Sequence, residues 1–147
     1  MSGKADTWEQ ALLDLLFLNT NAASIGDATG LRGSSTAGSL YLSLHTADPG
    51  ETGDQDDSEV GYGSYARKAV ARSGSGWTRT GSSISPAADQ SFVTGSSGSI
   101  VTATHFGIGT DSSGAGKLLY SGALSPNIPT GNGITPTIKS TSTVTED

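Results

Sequence analysis

Residues Val101–Leu124 read VTATHFGIGTDSSGAGKLLYSGAL, and this stretch decides the fold class. Thr102, Thr104, Phe106 and Ile108 alternate with Val101, Ala103, His105 and Gly107. Further on, Leu118, Tyr120 and Leu124 alternate with Leu119, Ser121 and Ala123. Alternation at period two is what a half-buried strand requires, because successive side chains leave opposite faces of a sheet. Between the two runs, Thr110–Gly116 supplies short polar side chains and glycines that can take φ > 0, so the chain can reverse there. The spacing predicts a two-stranded hairpin against which the rest of the chain packs.

The composition agrees with β structure. The chain has 147 residues, which predicts one domain with a sizeable core. It holds 23 Ser, 18 Thr and 21 Gly, while only 15% of residues are charged and 33% hydrophobic. Disorder normally accompanies high charge density, which is missing here, so Thr-rich strands joined by Gly/Ser turns fit better. The net charge of −6 repels phosphate backbones and argues against a nucleic-acid partner. With no cysteine there are no disulfides and no thiolate metal sites. The apolar run Ala11–Leu18 is short and interrupted by Asp14, unlike a secretory signal. No segment reaches the ~20 apolar residues of a membrane helix. The expectation is a soluble chain without an export signal and without a membrane partner.

Taken in order, Met1–Asp6 reads as a mobile arm. Thr7-Trp8-Glu9-Gln10 matches a capping box, with Thr7 at the N-cap, and predicts a helix over Trp8–Leu18. Trp8, Leu12, Leu15 and Leu16 make one apolar stripe, but Ala11, Leu13, Phe17 and Leu18 carry apolarity around most of the circumference. Such a helix either plugs one end of a β core or forms an interface, for which Trp8, Leu12, Leu13, Leu16 and Phe17 are the candidates. Asn19–Gly38 is low in complexity and either wanders or lies along a neighbour as an ordered arm. Ser39–Thr46 reads as a strand, with Leu40, Leu42 and Leu44 opposite Tyr41, Ser43 and His45.

An acidic loop follows, with six carboxylates from Asp48 to Glu59. Asp54, Asp56 and Ser58 have the alternate spacing of a calcium loop, but Glu59 stands where the sharp bend needs glycine, so a solvated loop is expected. Ser64–Arg72 reads as a strand whose basic residues, with Arg79 nearby, are expected to pair with that loop. Further strands are expected around Trp77–Ile84, at Phe92-Val93 after a Ser85-Pro86 turn, and within Ile134–Val144. Short strands at this spacing suggest a β-sandwich or jelly-roll-like domain over residues 39–147, with an N-terminal helix, extended arms and a flexible linker in residues 1–38.

Catalytic chemistry is poorly served. There are two histidines and no G-x-S-x-G elbow, HExxH or phosphate loop. A Ser-His-Asp set can be assembled from any chain this rich in serine, so that match carries no weight. His45 and His105 could meet across a sheet and ligate a metal, but a strand histidine is more commonly a hydrogen-bonded residue. No catalytic residue, cofactor or metal site is expected.

Four ordered blocks then carry a resemblance: Leu40–Pro49 (LYLSLHTADP), Gly63–Arg67 (GSYAR), Thr104–Ile108 (THFGI) and Gly116–Leu124 (GKLLYSGAL). Together with the apolar N-terminal helix they resemble a family of small tailed-bacteriophage virion proteins, some labelled tail fibre proteins and others capsid decoration (cement) proteins. The segment beyond Pro126 matches least. The resemblance implies a non-enzymatic structural protein of the virion. The first expectation is a cement protein on the capsid surface, assembled in the host cytoplasm, contacting the major capsid protein as a homo-oligomer, either trimer or dimer. The alternatives are a tail fibre or tail-tip component that binds the host surface, and a carbohydrate-binding module using Trp8, Tyr41, Tyr62, Tyr65 and Trp77. A hydrolase is a distant third.

Overall fold

The computed structural model describes residues 3–147. Met1 and Ser2, at the start of the expected mobile arm, lie outside the described residues. The elements in chain order are α1 (Asp6–Phe17), β1 (Ser39–His45), β2 (Lys68–Ala71), β3 (Trp77–Thr80), β4 (Ser83–Pro86), β5 (Gln90–Ser91), β6 (Val101–Gly109), β7 (Leu118–Thr130), β8 (Thr137–Ile138) and β9 (Val144–Thr145). The protein is mainly β with one helix, and the pairs β1–β6, β3–β4, β4–β9, β5–β8 and β6–β7 run antiparallel. Two compact units share the chain. One takes the chain up to Ser39 with Val70–Asp89 and Lys139–Asp147; the other takes Leu40–Ala69 and Gln90–Ile138.

The first unit is organised by α1. Glu9, Leu13 and Phe17 recur every fourth residue, which stacks them on one helix face, and all three are buried. Leu13 and Phe17 are 0% exposed. The Phe17 ring meets Trp77 edge-on, with centroids 4.7 Å apart, and Ile84 of β4 is equally covered. β3 and β4 form a tight hairpin whose turn, Gly81-Ser82, has Gly81 at φ 59°. A side chain there would be strained. The single strand expected over Trp77–Ile84 is therefore two strands, because Gly81 lets the chain reverse inside it. Pro86, expected in a turn, is buried at the end of β4 opposite Trp77. β9 adds to β4 through Ser83↔Thr145 and Ile84↔Val144.

The helix starts earlier than the sequence predicts. Ala5 is the N-cap and makes no side-chain cap; its carbonyl accepts the Trp8 and Glu9 N–H groups at 2.8 and 3.0 Å. Thr7 is thus inside the first turn, with Asp6 beside it supplying negative charge where the exposed N–H groups favour it. Lys4 is tied to the other terminus: its Nζ lies 3.0 Å from Glu146 Oε2 and donates to the Asp147 carbonyl.

Asn19–Gly38 is ordered and folds back on itself. Asn19 binds both the N–H and the C=O of Ser34 through its side-chain amide, Asn21 accepts from Gly33 N–H, and Ala22 and Leu31 exchange main-chain bonds at 2.9 Å. The Asp27 carboxylate closes the tip by accepting from Thr29 and Gly30. Short Asn and Asp side chains bond neighbouring main chain readily, which is how a segment whose larger apolar side chains, Ile25 and Leu31, are exposed becomes fixed.

The second unit is built on the sheet β2-β1-β6-β7, with β2 lying where the chain leaves the unit. β1 and β6 pair from Tyr41↔Gly109 to His45↔His105, and β6 continues to β7. The expected hairpin is present, and β7 runs on to Thr130, past the expected end at Leu124. The strand expected over Ser64–Arg72 is confined to Lys68–Ala71. β5 and β8 form a separate pair, so the short strand sits at Gln90–Ser91 and not at Phe92-Val93.

Because Phe17 is fully enclosed, Phe17→Ala is expected to cost about 3–5 kcal/mol, read as a fall in the denaturant midpoint. Trp8→Ala, at a half-buried position, should cost distinctly less. Equal losses would mean that Phe17 does not anchor the first unit.

Candidate functional site at the hairpin tip

The residues that carry most of the buried polar chemistry lie in the second unit, beneath the β6–β7 turn. Arg67, at the end of the Tyr-Ala-Arg stretch, has a side chain only 2% exposed. Its Nε and Nη2 donate to Glu59 Oε1 and Oε2, each at 2.8 Å, in a bidentate pair. Its remaining donors reach the turn: Nη1 to the Asp111 carbonyl at 2.9 Å and Nη2 to the Gly114 carbonyl at 2.7 Å. Glu59 Oε1 also accepts from the Tyr65 hydroxyl, which in turn accepts the Leu44 N–H. Hydrogen bonding to Glu59 raises the Arg67 pKa further. Burial foremost, then the Glu59 charge, pushes the Tyr65 hydroxyl far above its ordinary value.

Gln55 completes the lock from the acidic loop. It is 0% exposed; its N–H donates to the Ala115 carbonyl and its Oε1 accepts the Asp111 N–H. Two glycines of β6 make room for this packing. A Cβ at Gly107 would stand 2.5 Å from Ser43 Oγ and 2.6 Å from His45 Nε2, and one at Gly109 would overlap the Gln55 side chain. Gly116 has φ 56° and its Cβ would stand 2.5 Å from Gln55 Oε1. Glycine in a strand interior marks close approach of this kind, so Gly107 and Gly109 were a readable signal. Gln55 and the carbonyls of Asp111 and Gly114 left none in the sequence.

His45 lies opposite His105 in the β1–β6 pair. Its Nδ1 is 2.8 Å from the Asp57 carbonyl, which can only accept, so Nδ1 carries the proton and Nε2 accepts from Ser43 Oγ at 2.8 Å. Burial lowers its pKa below the ordinary 6.5, against the opposing pull of the Asp57 bond and Glu59, with Arg67 and His105 lowering it further. Thr104 Oγ1 donates to the Thr46 carbonyl at 3.0 Å, so His105 Nδ1, 2.9 Å away, donates to Thr104 Oγ1.

The basic residues divide differently from the expectation. Arg67 does pair with the acidic loop. Arg72 instead donates to the Leu16 and Leu15 carbonyls at 2.6 and 2.7 Å, capping the C-terminal end of α1, and Arg79 pairs with Asp14. A helix with no basic residue in its last turn leaves carbonyls that draw such a cation. Of the candidate interface residues, Leu13 and Phe17 are spent inside the first unit, whereas Trp8, Leu12 and Leu16 keep part of their surface. Trp77 and Tyr62, considered as sugar platforms, are core residues at 2% and 5% exposure.

What this arrangement does chemically is to hold a turn. A buried ion pair, a glutamine and close-fitting glycines fix the main chain of Asp111–Ala115, while its side chains stay in solvent. The fold and this cluster define a β-rich module with an exposed turn whose main chain is held from beneath by buried polar groups. The chain belongs to the family described as podophage GP4 fiber I protein gp80, which matches residues 3–145. It is thus a structural protein of a bacteriophage virion. No curated protein matches the chain.

Two outcomes check this geometry. Arg67→Met strands Glu59 in a largely covered site and is expected to cost about 3–5 kcal/mol. Ser112→Ala with Ser113→Ala, which touches only exposed hydroxyls of the tip, should stay within about 0.5 kcal/mol. A comparable loss in both, measured by denaturant unfolding, would contradict the lock.

The second outcome concerns acid. The folded protein holds His45 neutral below its unfolded pKa of about 6.5, so the unfolded chain binds the extra proton and the stability is present above that pH. It is lost as pH falls from 6.5 toward the lower folded value. The melting temperature should drop between pH 7.5 and 5.5, and His45→Gln should flatten that slope. An identical slope in the variant would remove His45 as its source.

Proposed function

We propose that the chain is a non-enzymatic subunit of a virion fibre, contributing a rigid presenting tip and associating with further copies of itself. The single observation that supports a presenting role is the Arg67 lock, whose donors go to Glu59 and to the carbonyls of an exposed turn. Preorganising a contact loop lowers the ordering cost of binding, which is what a fibre contacting a cell surface needs. The family description, which names a fiber protein, favours this placement. The buried polar groups serve internal positioning, and this supports a role without catalysis.

A second reading is decoration of the capsid surface through the major capsid protein. It is favoured by the lack, among the described residues, of a repeated unit that would build a shaft. In that case the partly covered Trp8, Leu12 and Leu16 would offer the apolar contact.

Particles lacking this protein separate the two. As a fibre subunit, its loss abolishes adsorption to host cells and leaves heat-induced release of DNA at its normal temperature. Normal adsorption with release at lower temperature would sink the fibre reading and support decoration, because a cement stabilises the shell it binds by mass action.

A further inference from the structure

β7 ends the four-stranded sheet, so one of its edges has no strand beside it among the described residues. Hydrogen bonds fix which residues look out over that edge. In β1, Leu44 donates to the Tyr65 hydroxyl and accepts from Val60 N–H, so its main chain faces away from β6. Main-chain groups alternate sides residue by residue along an antiparallel strand. Ser43 and His45 therefore bond to Gly107 and His105. Phe106 and Ile108 then face β7 and bond to Gly122 and Tyr120. Ser121 and Ala123 are left with N–H and C=O directed at the open edge, and both residues are exposed.

Natural edge strands are blunted by charge, proline, a bulge or a covering segment. β7 carries no charged residue from Leu118 to Thr130, in a chain whose net charge is −6. Its prolines, Pro126 and Pro129, come only after the stretch around Gly122. Its pairing with β6 is irregular between Leu118 and Tyr120 and between Ala123 and Ile128, so the regular and unblunted part of the edge is Tyr120–Ala123.

We propose that this edge pairs antiparallel with the same edge of a second copy, about a two-fold axis at Gly122. In that register Ser121 lies opposite the partner's Ala123, and each such pair exchanges its two outward main-chain bonds. Tyr120 lies opposite the partner's Leu124, an aromatic–aliphatic pair of the kind that stabilises sheets. Both residues are half-buried in the single chain and gain cover. Gly122 is needed at the axis. A Cβ there would stand 2.8 Å from the Phe106 ring, which leans over it, and the two glycines leave room for both rings. The pairing is isologous, so it closes as a dimer. A second copy fits better than a foreign segment for an electrostatic reason. Copies at −6 repel each other, and an uncharged strip lets them meet without opposing like charges, while it offers a charged partner no counter-charge.

Two-fold pairing presupposes the self-association proposed above, and the test separates the two. Sedimentation equilibrium of the full chain is expected to show a concentration-dependent dimer. S121K/A123K places lysines opposite each other across the axis and should give a monomer, with circular dichroism and melting of the monomer unchanged because both positions are exposed. S121K/A123E places Lys opposite Glu twice and should restore the dimer. A wild-type chain that is monomeric at every concentration overturns both the edge pairing and the self-association. A wild-type oligomer that persists in S121K/A123K overturns the edge alone. A folded S121K/A123E chain that stays monomeric overturns the register at Gly122.

Discussion

The second unit depends on one buried guanidinium. A charge with 2% of its side chain exposed must be matched locally, because its lost hydration is worth several kcal/mol. Arg67 meets this need with a carboxylate from the acidic loop and two carbonyls from the β6–β7 turn. Each of these segments is polar and would otherwise be mobile. Moving either one away leaves charge or carbonyl unpaired in a covered site, so the loop, the Tyr-Ala-Arg stretch and the turn hold or fail together. A buried ion pair adds little net stability compared with apolar packing. Its use here is to set position, and the position it sets is that of Asp111–Ala115.

The first unit solves a related problem with the same residue type. α1 ends without a basic side chain, and its last carbonyls need donors. Arg72 arrives from the end of β2 and donates to Leu15, Leu16 and Ala37, joining the helix end to the Asn19–Gly38 loop. Planar guanidinium groups with several fixed donors suit such divergent carbonyls better than an ammonium would. This explains why Arg72 and Arg79 are not at the acidic loop. The carboxylates there are numerous but solvated, whereas helix carbonyls and Asp14 lie partly covered, where a hydrogen bond counts for more.

The hairpin, β1 and the helix were legible because apolar periodicity reports burial directly. Leu42, Leu44 and Ile108 mark one covered face, while the other, with Ser43, His45, Gly107 and Gly109, is covered too and carries no apolar signal. The turn at Gly81 was masked, because Trp77 and Ile84 on either side of it suggested one continuous strand. The helix start was misplaced because Thr7 and Gln10 satisfy a capping pattern that the chain does not use; the Ala5 carbonyl takes that role. The order of Asn19–Gly38 could not be read, since it rests on amide side chains finding main chain about fifteen residues away. The site was half legible. The basic residues of Ser64–Arg72 were expected to pair with the acidic loop, but the shared hold of Arg67 and Glu59 on the turn depends on main-chain carbonyls, which every residue has and no sequence pattern marks.

A lock made to main-chain groups suits the recognition role proposed for this module. Arg67 reads the carbonyls of Asp111 and Gly114, and Gln55 reads the N–H of Asp111 and the carbonyl of Ala115. None of these contacts uses the side chains of Ser112, Ser113 or Ala115. The lock constrains the path of the tip and leaves those side chains unconstrained, apart from the glycines that the path requires. Chemistry at the tip can therefore change without disturbing the ion pair beneath it. The blocks around His45 and around Tyr65 and Arg67, which carry part of the family resemblance, belong to the holding apparatus and not to the exposed turn. On the proposed fibre reading, a sequence pattern of this kind identifies the class of protein through the part that positions the tip, and it is silent on what the tip would contact.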